Sequence, residues 1–306
     1  MKIKELLNIK YPIIQGGMAH TSKSQLAAAV SNAGGLGQVA TGGFTPKQIR
    51  EEIHKMQELT DKPFSVNLVL MHPDIEEIID IVIEEGVKMI TCGAGNPAPY
   101  FQKWLDAGIQ VMPVIANIKM AKKCQELGAT AVIFEGAEAG GHIGSLNTMA
   151  ELPAIVRSVD LPVISAGGIY TGAQILAAEV LGAAGVQLGS RFLVAEETPI
   201  HENIKKYLIQ AKDSDTVITG VYTGHPVRVV RNKLAEAMIQ LEKEGAPLEE
   251  FEKLGVGSNK KAVIDGDTQW GSIMVGEGLE FLQKIEPVEK ILKDLMREYE
   301  EIKKSL

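Results

Sequence analysis

Eight short apolar runs alternate with helical patterns through the first two thirds of the chain, and this rhythm restricts the fold more than any other feature. The runs are YPIIQGG (11–17), LGQVATGG (36–43), PFSVNLVL (63–70), VKMITCGAG (87–95), IQVMPVIA (109–116), TAVIFEG (130–136), PVISAGG (162–168) and GVQLGS (185–190). They are rich in Val and Ile, as strands buried on both faces should be. Between them, SKSQLAAAVSNAGG starts near a serine and stops at glycines, and PKQIREEIHKMQELTDK and DIEEIIDIVIEEG repeat apolar residues at helical steps. Strands alternating with helices predict a parallel sheet. Eight units predict an α/β fold closed into a (β/α)8 TIM barrel over residues 1–195, rather than an open doubly wound sheet. After Arg191 the rhythm changes. Residues 196–270 are more polar, and IHENIKKYLIQAKDSD, VRVVRNKLAEAMIQLEKEG and LEEFEKLG predict a mostly helical cap inserted after strand eight. Residues 271–306 read as C-terminal helices that pack back on the barrel.

Composition narrows the function. The net charge of -8 argues against general nucleic-acid binding, which needs a positive surface. Cys92 and Cys124 are too few and too far apart for a disulfide framework or a zinc cluster, and a reducing cytoplasm suits them. No apolar run is long enough to span a membrane, and the opening MKIKELLNIKYP lacks the marks of a signal peptide. A cytoplasmic enzyme is expected, as a homodimer, with no transition-metal site.

In barrels of this kind the chemistry gathers where strands run into the following helices. Those positions carry Gly16, Gly17 and Met18 after strand one, Asn67 on strand three, Gly93 ending strand four and Glu135 ending strand six. Gly167 and Gly168 end strand seven; Gln187, Gly189 and Ser190 lie on and after strand eight. A phosphate commonly sits between the last two loops, held by backbone N–H groups that glycines leave approachable. Ser190 adds a hydroxyl. Gln15 to Met18 and Gly93 to Gly95 offer walls with little side-chain bulk, and Asn67 and Gln187 suit a polar ring edge. The geometry suits flavin mononucleotide (FMN). It does not suit a dinucleotide, because the first loop reads GGMAHTS and holds no GxGxxG. The stretch EAGGHIG (138–144) places His142 beside Gly140 and Gly141. Histidine titrates near neutral pH, so it is the candidate acid or base over a flat ligand.

These motifs resemble a known family. YPIIQGGMA, AGGLG, TDKPFSVNL, GAGNP, EGAEAGGHIG, PVISAGGI, QLGSRF and DGDTQWGSIMVGEG, in that order from about residue 5 to 285, are similar to enoyl-acyl carrier protein reductase II. That enzyme is the FMN-dependent reductase branch of the nitronate monooxygenase superfamily. The resemblance implies reduction of a trans-2-enoyl thioester on acyl carrier protein by NADH or NADPH, with His142 as general acid. The alternative is nitronate oxidation with oxygen, in which the same histidine takes a proton from carbon. Glu135 and HPVRVVRNK look like the reductase branch. Glu277 departs from the pattern, where a glutamine is usual. The family often responds to monovalent cations, through carbonyl sites that leave no sequence signature. Acyl carrier proteins are acidic, so the cap residues Lys205, Lys206, Lys212, Arg228, Arg231 and Lys233 are a candidate docking patch, with Arg228, Arg231 and His225 as substrate contacts. His20 is a second candidate near the first loop. His54, His72 and His201 read as ordinary surface residues, and Cys92 as core packing.

Overall fold

Each of the eight apolar runs forms one parallel strand. The computed structural model describes residues 1–306. The strands in chain order are β1 (Ile13–Gln15), β2 (Gly37–Ala40), β3 (Phe64–Val69), β4 (Met89–Gly93), β5 (Gln110–Ile115), β6 (Val132–Glu135), β7 (Gly141–His142), β8 (Val163–Ala166), β9 (Gly185–Leu188), β10 (Thr216–Thr219) and β11 (Val227–Val230). All but β7, β10 and β11 form one sheet in the order β1-β9-β8-β6-β5-β4-β3-β2. A parallel bridge from Ile14 to Leu36 brings its two ends together. The chain is a (β/α)8 barrel.

Two apolar layers hold it. Inside, Ile14, Met112, Ile133 and Ile164 fill the barrel, and Ile3 and Leu7 of the helix Ile3–Leu7 join them. Gly185 lies so close to Ile3 that a Cβ there would come within 2.5 Å of its side chain. This helix plugs the end opposite the site. Outside, Val66, Ile90, Phe134 and Val186 pack against Ile53, Ile79, Trp104 and Leu292 of the surrounding helices. Burying residues of this kind contributes about 1.5–3 kcal/mol each before entropy is counted. The helix Val288–Ser305 packs on the helices Gly172–Val180 and Ser24–Ala33, and completes the outer ring.

The segment after β9 departs from the sequence reading in two places. Residues 227–230, expected to begin a helix, form β11 instead. It pairs antiparallel with β10 and with β7. Val-Arg-Val-Val is mostly β-branched and alternates its faces, which favours a strand. Of residues 271–306, only the turn Leu279–Phe281 and Val288–Ser305 are helical. Residues 272–278 run across the barrel mouth, where Val275 and Gly276 abut Gly140. Leu193, Ile204, Leu208, Val263, Ile273 and Val275 form a separate apolar cluster under the cap. No helix is long and apolar enough to cross a membrane.

Candidate active site

A cavity of about 750 Å³ opens between the strand ends and the cap, within the usual range for small-molecule sites. Its barrel wall carries Gly16, Gly17, Met18, Asn67, Gly93, Glu135, Gly140, Gly141, His142, Gly167, Gly168, Gln187, Gly189 and Ser190. Its cap wall carries Ile200, Ile204, His225, Val263, Ile273 and Met274. Gln15 turns away and is fully buried inside the barrel.

The corner between β8 and β9 is shaped for an anion. Gly167 and Gly168 both adopt positive φ, at 97° and 68°, which a residue with a side chain rarely does. The backbone N–H groups of Gly167, Gly168, Gly189 and Ser190 have no acceptor within the protein. The four residues are half-buried and line the cavity, so these unpaired donors are open to a ligand oxyanion. Ser190 Oγ accepts from Gly276 N–H at 2.9 Å, which leaves its own proton free to donate. Tyr170, for which the sequence carries no expectation, lines the same corner with its buried hydroxyl beside Ser190. Loss of water pushes that phenol up to about 12. A Cβ on Gly189 would meet nothing nearer than Met18 Sδ at 3.9 Å, so the space in front of it is open. Orphan donors around open space are what a phosphate-bearing cofactor requires.

The loop between β6 and β7 is held from several sides. Ala137 N–H donates to Leu146 O at 2.8 Å, and Ile143 N–H donates to Pro226 O at 3.1 Å. The Glu138 carboxylate accepts from Thr148 N–H and its hydroxyl, and Glu138 O accepts from Glu277 N–H at 2.9 Å. At Gly140 a Cβ would fall 2.5 Å from the Val275 carbonyl carbon, so only glycine lets the two segments meet. β7 then pairs with β11, with His142 opposite Val227 and Gly141 opposite Arg228. His142 therefore stands on a short strand locked to the cap and faces the cavity. Desolvation, and then the neighbouring His225, hold its pKa below the ordinary value. Glu135 has no hydrogen-bond partner, and desolvation pushes its carboxyl up to about 7.

Other candidates lie elsewhere. Arg228 is buried and does not line the cavity. Its guanidinium donates to Ala137 O at 3.0 and 3.2 Å and pairs with Glu277 at 2.9 Å. Arg231 is exposed and pairs with Glu236. Lys205 is buried too, and its ammonium donates to Glu196 O at 3.2 Å. The proposed basic patch is thus reduced, because Arg228 and Lys205 turn inward and Arg231 is paired with Glu236 on the surface; Lys206, Lys212 and Lys233 remain exposed. His20 packs edge-on against Phe44 outside the cavity. His54 pairs with Glu85, His72 bonds to Phe44 O, and His201 caps the helix Glu202–Gln210. Cys92 is buried within β4, and burial raises its thiol strongly.

A model of the nitronate monooxygenase family matches residues 1–298. The chain belongs to that family. A probable nitronate monooxygenase of Staphylococcus saprophyticus is 32% identical over 329 aligned residues, which cover 92% of this chain and 93% of that one. Among solved structures, FabK from Thermotoga maritima superposes with a TM-score of 0.96 at 40% identity, covering 99% of this chain and 97% of that one. A nitroalkane oxidase from Streptomyces ansochromogenes superposes with a TM-score of 0.87 at 26% identity, covering 100% and 99%. Membership makes the protein a flavin-dependent oxidoreductase. The family's FMN dependence agrees with the anion corner and the glycine-lined wall.

Proposed function

We propose that the protein reduces trans-2-enoyl thioesters carried by acyl carrier protein, with NADH or NADPH as donor, in the last step of a fatty-acid elongation cycle. The observation that carries this reading is the cap wall. Ile200, Ile204, Val263, Ile273 and Met274 give an apolar face to the same cavity that His142 lines, the surface an acyl chain needs. The greater likeness to FabK, an enoyl-acyl carrier protein reductase, than to the nitroalkane oxidase supports the same choice.

The protein's own residues have distinct tasks. The amides of Gly167, Gly168, Gly189 and Ser190 hold the FMN phosphate. Gly16, Gly17, Met18, Gly93, Gly140 and Gly141 leave room for the flat ring, while Asn67, Glu135 and Gln187 meet its polar atoms. FMN, when bound, supplies hydride transfer to the β carbon of the enoyl group. His142 delivers a proton from an imidazole nitrogen to the α carbon. A depressed pKa makes protonated His142 a stronger acid, at the cost of its population near neutral pH. His225 stands at the cap side, within reach of the thioester end, and the apolar cap excludes water. The exposed Lys206, Lys212 and Lys233 offer the acidic carrier what remains of a docking surface.

A second reading, nitronate oxidation, draws on one observation. Desolvation and then His225 lower the His142 pKa, which favours the neutral form that would take a proton from a carbon beside a nitro group. Parallel assays separate the two. NAD(P)H consumption that requires a trans-2-enoyl thioester supports the reductase; nitronate-dependent oxygen uptake without it supports the oxidase and overturns the proposal.

A further inference from the structure

Gln38 on β2 is fully buried and does not reach the cavity, yet it decides what the cavity wall offers. Its side-chain Nε2 donates to the backbone carbonyl of Gln15. A carbonyl oxygen only accepts, so this bond fixes which end of the Gln38 amide is nitrogen. The rest follows from it. Gln38 Nε2 also donates to Gln187 Oε1 at 3.2 Å. Gln38 Oε1 accepts the proton of the Thr91 hydroxyl. With that proton committed, Thr91 Oγ1 accepts from Asn67 Nδ2 at 2.9 Å. Asn67 and Gln187 are the two members of this chain that line the cavity. The first is left with its carbonyl oxygen free and the second with its NH2 group free. Asn67 Oδ1 lies against the first glycine loop, where a Cβ on Gly17 would come within 2.3 Å of it.

We infer that Gln38 and Thr91 are positioning residues that fix the polarity of the cofactor wall, so that Asn67 presents an acceptor to the imide N–H of the flavin and Gln187 presents donors to a ring carbonyl. The inference rests on the flavin reading above. It deepens that reading, because an unrestrained amide can turn over and offer either end. Thr91 and Gln38 remove that choice without touching the ligand. The donor and acceptor pattern of the flavin pyrimidine edge is then matched before binding, which is how buried polar groups discriminate between ligands of one shape.

The test measures FMN affinity of the flavin-free protein by fluorescence quenching, beside an analogue in which a C–H replaces the imide N–H. The wild type should prefer FMN by about tenfold, the scale of one neutral hydrogen bond. Thr91→Val, which keeps the shape and loses the hydroxyl, should bring the two affinities to within about twofold. Thr91→Ser should restore the preference. A general packing defect would weaken both ligands equally and leave the ratio unchanged, and that result would overturn the inference. A second measurement needs no flavin. The side-chain 15N–1H2 signals of Asn67 should shift and exchange faster in Thr91→Val but not in Thr91→Ser; identical signals in all three proteins would also overturn it. If the wild type binds no FMN, the flavin reading fails, and these amide signals still decide the polarity question.

Discussion

Arg228 and Glu277 meet at 2.9 Å and tie the cap sheet to the segment that crosses the barrel mouth. The same guanidinium holds Ala137 O in the loop that leads to His142. The Arg228 side chain is 9% exposed and the Glu277 side chain 51%. The two halves of the pair are therefore unequal. Arg228→Leu removes both donors from the half-buried Ala137 carbonyl and should cost about 1–3 kcal/mol in urea unfolding, with a fall in turnover as the His142 loop loosens. Glu277→Gln should cost less than about 1 kcal/mol, because a half-exposed carboxylate is well solvated and Arg228 keeps Ala137. The residue that departs from the family pattern thus has a definite partner.

The pH profile should follow His142. A general acid must be protonated, so turnover of an enoyl thioester falls as pH rises through the depressed His142 value. His142→Gln should lower turnover by about 10²–10⁴-fold and abolish that limb. His225→Gln removes the electrostatic influence that lowers His142, so the limb should move to higher pH. Desolvation is the larger cause of the shift and remains, so the limb should stay below the ordinary histidine value. A profile that ignores both substitutions would remove His142 from the proton's path.

Gly189 separates cofactor binding from folding. Its φ is negative, at -106°, and a Cβ there has room within the protein. Gly189→Ala should melt within a degree or two of the wild type, since surface-like changes of this size shift stability by only about 0.5 kcal/mol. The added methyl would stand in the anion corner and should weaken FMN binding by about tenfold or more. Titration of the flavin-free protein checks both.

Glu135 should leave a mark on stability. Its carboxyl is raised from 4.5 to about 7 in the folded protein. Between those values the folded state holds a proton that the unfolded state has lost. The neutral form's contribution is therefore intact below about pH 4.5 and is lost as pH rises through about 7. Glu135→Gln should stabilise the flavin-free protein above pH 7 by about 3 kcal/mol and leave it unchanged at low pH. Urea unfolding at the two ends of this range checks the sign.

The barrel was legible because each β-branched run is bounded by glycine or a polar residue, and the strand-end glycines stand out for the same reason. What escaped reading is long-range. Nothing near Gln38 or Thr91 in sequence reveals that their side chains meet 2 strands away, on β2 and β4 with β3 between. Tyr170 follows AGGI directly, and a tyrosine two residues after the glycine pair is the sequence signal that points to it. The strand at Val227–Val230 pairs on one side with β10 nearby and on the other with β7, where Val227 meets His142 from 85 residues earlier, and no local pattern marks that second partner. Arg228 and Lys205 counted as surface charge in sequence, but only packing decides which basic residues turn inward.

The central claim is the thioester as the acceptor of reducing equivalents. The most direct measurement is rapid mixing of FMN-loaded protein under anaerobic conditions, first with NADH or NADPH and then with a trans-2-enoyl thioester. The expected result is fast reduction of the flavin followed by stoichiometric reoxidation by the thioester, with His142→Gln slowing the second step alone. Flavin that stays reduced in the presence of the thioester, and reoxidises only when oxygen is admitted, would contradict the account.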